Sequence, residues 1–231
     1  MKKPGTFDAS LFDNWSRELA YLIGATLTDG CVHSADYLSG GYVYRHRAVE
    51  WNVADRDWLE TLKRIMSATR EIRTCERRHG TYYLLRVQGQ EVVDAFARYG
   101  VLPRKTMTCR VPGDLPAEHF YHFLRGVIDG DGSVMVRAGG KFNRPGYKRL
   151  VVSIASGSEA FLQDIQKRVG GSISYTGTKG HAVYRLVFDC GKAADLLKKV
   201  YADSDLLRLE RKYRKWAEFC ESGEGYLRRV A

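Results

Sequence analysis

Two aspartates, Asp29 and Asp131, close two similar segments and are the residues best placed to do chemistry. The first segment is Leu22-Ile23-Gly24-Ala25-Thr26-Leu27-Thr28-Asp29-Gly30, and the second is Leu124-Arg125-Gly126-Val127-Ile128-Asp129-Gly130-Asp131-Gly132. Each reads as an apolar helix with small residues four apart, Gly24/Thr28 and Gly126/Gly130. Residues i and i+4 share a helix face, and small residues on that face let two backbones approach closely. Helices packed there bring Asp29 and Asp131 side by side at one end. Paired carboxylates at such a seam form a natural site for a divalent cation. A carboxylate at the negative end of a helix dipole is also unfavourable without one. A lone Asp-Gly is an ordinary helix stop; two copies at equivalent positions point to chemistry.

The elements that position these aspartates repeat as well. Asp131 follows Asp29 by 102 residues (131 − 29). Ala48 to Val53 followed by Trp58 to Lys63 has its counterpart in Leu150 to Ile154 followed by Phe161 to Gln166. Each reads as a strand, a polar turn and an amphipathic helix. Tyr82 to Val87 matches Val183 to Phe188, and Gln90 to Phe96 matches Gly191 to Leu197. The pattern predicts an α+β fold of two pseudo-symmetric αββαββα halves, residues 1–113 and 114–231. The join falls where Pro112, Gly113 and Pro116 break regular structure. Two copies do not make a solenoid; they fit a pseudo-dimer fused into one chain. The first motif helix is expected to start near Asn14 or Ser16, both good N-caps, with Glu18 in its first turn. Leu206 to Cys220 reads as a basic helix with apolar residues at helical spacing, and Ser222 to Ala231 as a fraying end.

The 231 residues carry a net charge of +10, which favours a polyanionic partner, and 44% hydrophobic content, which argues against disorder. The five cysteines are odd in number, scattered and without metal-ligand spacing. They predict a reducing, intracellular compartment and neither a zinc site nor a disulfide framework. No apolar signal core opens the chain, and no apolar run is long enough for a membrane span.

The second motif, with His122-Phe123 before it, closely resembles the signature of the LAGLIDADG homing endonucleases, and the first is a looser copy. Two copies in one chain resemble the single-chain branch. The resemblance implies a monomeric, metal-dependent DNA endonuclease whose two saddle-shaped antiparallel sheets enter the major groove. It implies metal ligands at Asp29 and Asp131, aided by the main-chain carbonyls of Thr28 and Gly130. Hard oxygen ligands suit Mg2+. The family also has a basic residue near each active centre. Lys105 and Lys212, each in an Arg-Lys pair after the closing helix of a half, are the candidates to stabilise the transition state or polarise water. Asp55 and Ser156 are the candidates to position water. Asp129 answers to Leu27 in the first half, so it is assigned a structural role.

Strands mixing apolar residues with basic and aromatic ones supply the expected surface for double-stranded DNA. The first half offers Tyr42, Tyr44, Arg45 and Arg47, then Arg70, Arg73, Arg77, Arg78 and Arg86. The second offers Arg137, Lys141, Arg144, Lys148 and Arg149, then Lys179 and Arg185. Arginine reads guanine bidentately, and both basic types neutralise phosphate. Because the two sets differ, the recognised site should be long and asymmetric. Three other readings compete: an RNA-binding maturase, a DNA-binding regulator and a nickase, the last because Thr28 stands where glycine is usual. No intein splicing residues are seen, which favours a free-standing or intron-encoded enzyme.

Overall fold

A computed structural model describes residues 6–138, 148–177, 183–204 and 207–222. The first half runs α1 (Arg17–Asp29), β1 (Gly30–Ser39), β2 (Tyr42–Val53), α2 (Arg56–Ile65), β3 (Arg73–Arg77), β4 (Gly80–Gln88) and α3 (Gln90–Ala97). The second repeats it as α4 (Phe120–Asp129), β5 (Gly132–Ala138), β6 (Lys148–Ser156), α5 (Glu159–Val169), β7 (Ser172–Tyr175), β8 (Tyr184–Asp189) and α6 (Cys190–Tyr201). A further helix, α7 (Glu210–Glu221), follows. The expected αββαββα repeat is present twice. Each half builds one four-stranded antiparallel sheet, in the orders β1-β2-β4-β3 and β5-β6-β8-β7.

Helix α1 starts where its sequence directs. The Ser16 side chain accepts from the Leu19 amide, and Glu18 sits in the first turn. Every residue from Leu19 to Leu27 is buried, so α1 is enclosed on all sides instead of showing one polar face. Its partner is α4, buried from Phe123 to Asp129. The two cross through their glycines. A Cβ on Gly24 would collide with the Phe123 carbonyl oxygen, and one on Gly126 would collide with that of Tyr21 and lie 2.7 Å from the Ala25 amide nitrogen. Beyond them, a Cβ on Gly130 would strike the Thr28 hydroxyl. The spacing of small residues therefore did mark the helix seam.

The strand registers are strict. In the first sheet Val49, Trp51, Leu85 and Val87 turn to the helices and are buried. Leu150, Val152, Ile154, Leu186 and Phe188 do the same in the second. Each large apolar side chain so buried contributes about 1.5–3 kcal/mol. The core is continuous across both halves. Since side chains alternate along a strand, the opposite face of each sheet is open. Two boundaries differ from the sequence expectation. The strand expected over 70–78 is only Arg73–Arg77, and α7 begins at Glu210, with Leu206 outside the described residues.

Candidate active site and nucleic-acid interface

Asp29 is the last residue of α1, and Asp131 lies just past the end of α4. Both side chains reach solvent. Among the described residues neither carboxylate has an ion pair or hydrogen bond. Burial of its surroundings and the charge of Asp29 push the Asp131 carboxyl up to about 6, against the pull of Lys212 and Lys105. Burial also raises Asp29, opposed by Lys212, Arg211 and Lys105. Two unpaired, mutually repelling carboxylates at helix C-termini are a hard-oxygen donor set that a divalent cation would neutralise. The residues present fit such an ion.

Lys105 and Lys212 are both buried beside this pair. The Lys105 ammonium donates to the Gly30 carbonyl. Lys212 donates to the carbonyls of Ile128 (2.8 Å), Asp129 (2.7 Å) and Gly130 (2.8 Å). Each lysine thus caps the end of its own half's motif helix, where carbonyls lack intrahelical partners. Burial lowers both ammonium pKa values, that of Lys212 to about 8. Lys212 uses all three of its hydrogens on the backbone, so it acts on the site through position and charge. The Gly130 carbonyl, a suggested metal ligand, already accepts from it. The Thr28 hydroxyl turns back to the carbonyls of Gly24 and Ala25.

Asp55 and Ser156 are not counterparts. Trp51 pairs with Gly30 and Ile154 with Gly132, so Ser156 answers to Val53. The residue answering to Asp55 is Ser158; these two precede α2 and α5 as N-cap residues. The Asp55 carboxylate is close enough to raise Asp29 and is held by Arg211 Nε at 2.9 Å from both oxygens. Ser156 accepts from the Ser158 amide.

A buried network behind the aspartates was not visible in the sequence. Trp58 Nε1 donates to the Tyr21 hydroxyl (2.7 Å), which donates to Asp129 Oδ2 (2.8 Å). The Leu209 amide, at the N-cap of α7, donates to the same oxygen (2.7 Å). Asp129 therefore anchors the helix that carries Lys212, in keeping with a structural role. Burial raises its carboxyl to about 6 against these donors. Arg125 is fully buried and donates to the carbonyls of Val200 (2.6 Å) and Ala202 (2.9 Å) at the end of α6. Asp129, one helical turn on, is its acidic neighbour in the sequence, but the carbonyls that Arg125 bonds lie 75 and 77 residues away.

Comparison with known proteins settles what this arrangement resembles. Residues 121–200 match the family model of the LAGLIDADG-like domain. The LAGLIDADG homing endonuclease I-GzeII in complex with its DNA target superposes with a TM-score of 0.63 at 11% identity, over 90% of each chain. I-LtrWI bound to target DNA gives 0.63 at 10% identity, over 92% of this chain and 90% of that one. I-SmaMI bound to uncleaved DNA in the presence of calcium ions gives 0.61 at 13% identity, over 90% of each. No functionally curated sequence matches. The whole chain thus has the LAGLIDADG homing endonuclease fold in its single-chain, two-repeat form.

The open faces of the two sheets sort the remaining candidates. On the first, register places Tyr42, Tyr44, Arg73, Arg77 and Arg86 outward, away from the helices. Arg70, Arg73 and Arg86 line one shallow hollow there with Gln88. Arg78 is exposed in the β3–β4 turn. Arg45 and Arg47 fall on the opposite parity, shared with Val49 and Trp51. Arg47 is occupied within the fold, paired with Asp36 (2.7 Å) and bonded to Gln90 of α3 (2.8 Å). On the second sheet, Arg137, Arg149 and Arg185 face outward and Lys148 shares the helix-side parity. Arg149 pairs with Asp189. Lys141, Arg144 and Lys179 lie outside the described residues. Among the described residues, no cysteine forms a disulfide and no helix is long and apolar enough to cross a membrane.

Proposed function

We propose that this chain is a site-specific endonuclease that hydrolyses both strands of a DNA duplex with Mg2+ and works as a monomer. The observation that carries the reading is the convergence of two unpaired carboxylates, Asp29 and Asp131, at the packed ends of α1 and α4. A polyanion would reach them across two open, basic sheet faces.

Asp29 and Asp131 would hold the cation, which supplies Lewis acidity and charge neutralisation at the scissile phosphate. Lys105 and Lys212 fix the helix ends that carry the two aspartates and add positive charge where the phosphate would sit. Arg211 holds Asp55 beside Asp29 and so sets the acidity there. The outward tyrosines and arginines would orient the duplex by phosphate and base-edge contacts.

The two halves are not chemically equal. Lys212 bonds three carbonyls and Lys105 one, and Ser158 replaces Asp55. This favours unequal rates for the two strands, with a nicked duplex accumulating first. The decisive experiment selects cleaved sites from a randomised duplex library with Mg2+ present. Asp29→Asn and Asp131→Asn should each abolish double-strand cleavage while DNA binding persists. Full cleavage by either variant would remove that aspartate from the mechanism.

A further inference from the structure

Beside the aspartate pair, the first sheet carries a second set of metal-ligating groups of different chemistry. Cys31, His33 and Glu50 each offer a ligand atom, and these atoms lie within 4.8 Å of one another. Register explains the grouping. Cys31 pairs directly with Glu50 across β1 and β2, and His33 is two residues further along β1, so all three project from the open face. Directly opposed residues on adjacent strands are held at a spacing that backbone hydrogen bonding sets, so the cluster is built into the sheet.

The Glu50 carboxylate divides its two oxygens. Oε2 takes the Arg86 guanidinium at 2.5 Å, and Oε1 faces His33 Nε2 at 3.0 Å. A cation could take Oε1 and His33 Nε2 and leave the Arg86 pair intact, the arginine orienting the ligand as outer-shell partners do. The His46 ring stacks on His33 with centroids 4.6 Å apart and fixes its plane. Burial acts to raise the Glu50 carboxyl, but the hydrogen bonds from His33 and Arg86 outweigh it and hold it below the usual range. The carboxylate is therefore ionised and ready to ligate. Cys31 is exposed and forms no disulfide, so its sulfur is open to a metal.

We propose that Cys31, His33 and Glu50 form a site for a thiophilic divalent cation of the Zn2+ class, distinct from the hard-oxygen pair Asp29 and Asp131. Thiolate, imidazole and carboxylate together select zinc over magnesium. Zinc bond lengths of about 2.0–2.3 Å place tetrahedral ligands about 3.3–3.6 Å apart. Glu50 Oε1 and His33 Nε2 already stand 3.0 Å apart, and the exposed Cys31 side chain would close the set. Three protein ligands leave a fourth position open to water or a phosphate oxygen.

The test is titration of the full-length reduced protein with Co2+ in excess Mg2+, followed by absorption. One equivalent should give the intense near-ultraviolet band of thiolate-to-cobalt charge transfer, and Zn2+ should bleach it. Cys31→Ser should lose the band, and His33→Ala should weaken Co2+ binding at least tenfold. Cys75→Ser, which alters another thiol of the same sheet, should keep it. Asp29→Asn should also keep it, so loss of the active-site reading would leave this inference standing. Absence of the band in the wild-type protein, or its survival in a folded Cys31→Ser variant, would overturn the proposal.

Discussion

The charge of Asp131 has a consequence that needs no substrate. Its carboxyl titrates near 6 in the folded chain against 3.8 in an ordinary setting. Between those values the folded state binds more protons than the unfolded one, so stability falls as pH rises through that window. Above it the repulsive burden is fully present. Solvent reaches the side chain, and screening keeps the effect to about 1 kcal/mol or less. In chelator, Asp131→Asn should therefore raise Tm by about 2–4 °C near pH 7.5 and leave it unchanged near about pH 3.5. Thermal melts at the two pH values check this, and a variant that melts lower than wild type at the higher pH would refute it. The placement of both aspartates at the ends of the paired helices was legible in the sequence because each closes a copy of one motif, and that of the lysines because each follows the closing helix. Tyr21, Trp58 and Arg125 were not. Their hydrogen-bond partners lie 37 or more residues away, and nothing local distinguishes a buried tyrosine bonded to a carboxylate from an ordinary core tyrosine. Ser156 lies 101 residues beyond Asp55 (156 − 55), short of the local repeat, which reaches Ser158. The offset is 102 residues at the motif aspartates and 103 at Trp51 and Ile154, enough to shift the partner of a turn residue.

At the scale of elements, the seam between α1 and α4 holds the site together. Gly126 in a helix interior is an intrinsically poor choice, and alanine there would gain helix propensity of up to about 1 kcal/mol. Its Cβ, however, would strike the Tyr21 carbonyl, a backbone atom that cannot rotate aside. Gly126→Ala should consequently destabilise, by about 1–3 kcal/mol in urea unfolding, and Gly24→Ala should do the same. Wild-type stability in either variant would mean that the helices can part without loss. Arg125→Met probes the other side of α4. It leaves the carbonyls of Val200 and Ala202 without their charged donor, and stability should fall by about 2–4 kcal/mol. Helices and strands were legible because their apolar periods are regular. The shortness of β3 was not, since Arg70 sits beside Gln88 at 3.3 Å without joining the ladder, a tertiary contact that composition cannot show.

For the whole molecule, the question is which of its many cations meet a duplex. A positive charge already spent inside the fold releases no counterion from DNA, whereas one held out to solvent does. Arg73 and Arg47 make the contrast within one sheet. Arg73 is exposed on the outward face, while Arg47 lies on the helix-side parity and is paired with Asp36. Arg73→Gln should weaken binding, and the slope of log affinity against log salt should fall by about one if the contact is to phosphate. Arg47→Gln should leave that slope unchanged and instead lower stability. The outward faces also differ in kind. Among the described residues, Arg73 and Arg86 on the first sheet answer to Ser174 and Val187 on the second, where Arg137 and Arg185 stand among Ser133 and Ser153. Two unlike surfaces cannot read two identical half-sites, so the sequence selected from a random library should be asymmetric. One chain carries both aspartates, so sedimentation should find one protein molecule on each duplex. A palindromic selected site, or binding only as a dimer, would show that the two sheets do not read one duplex together.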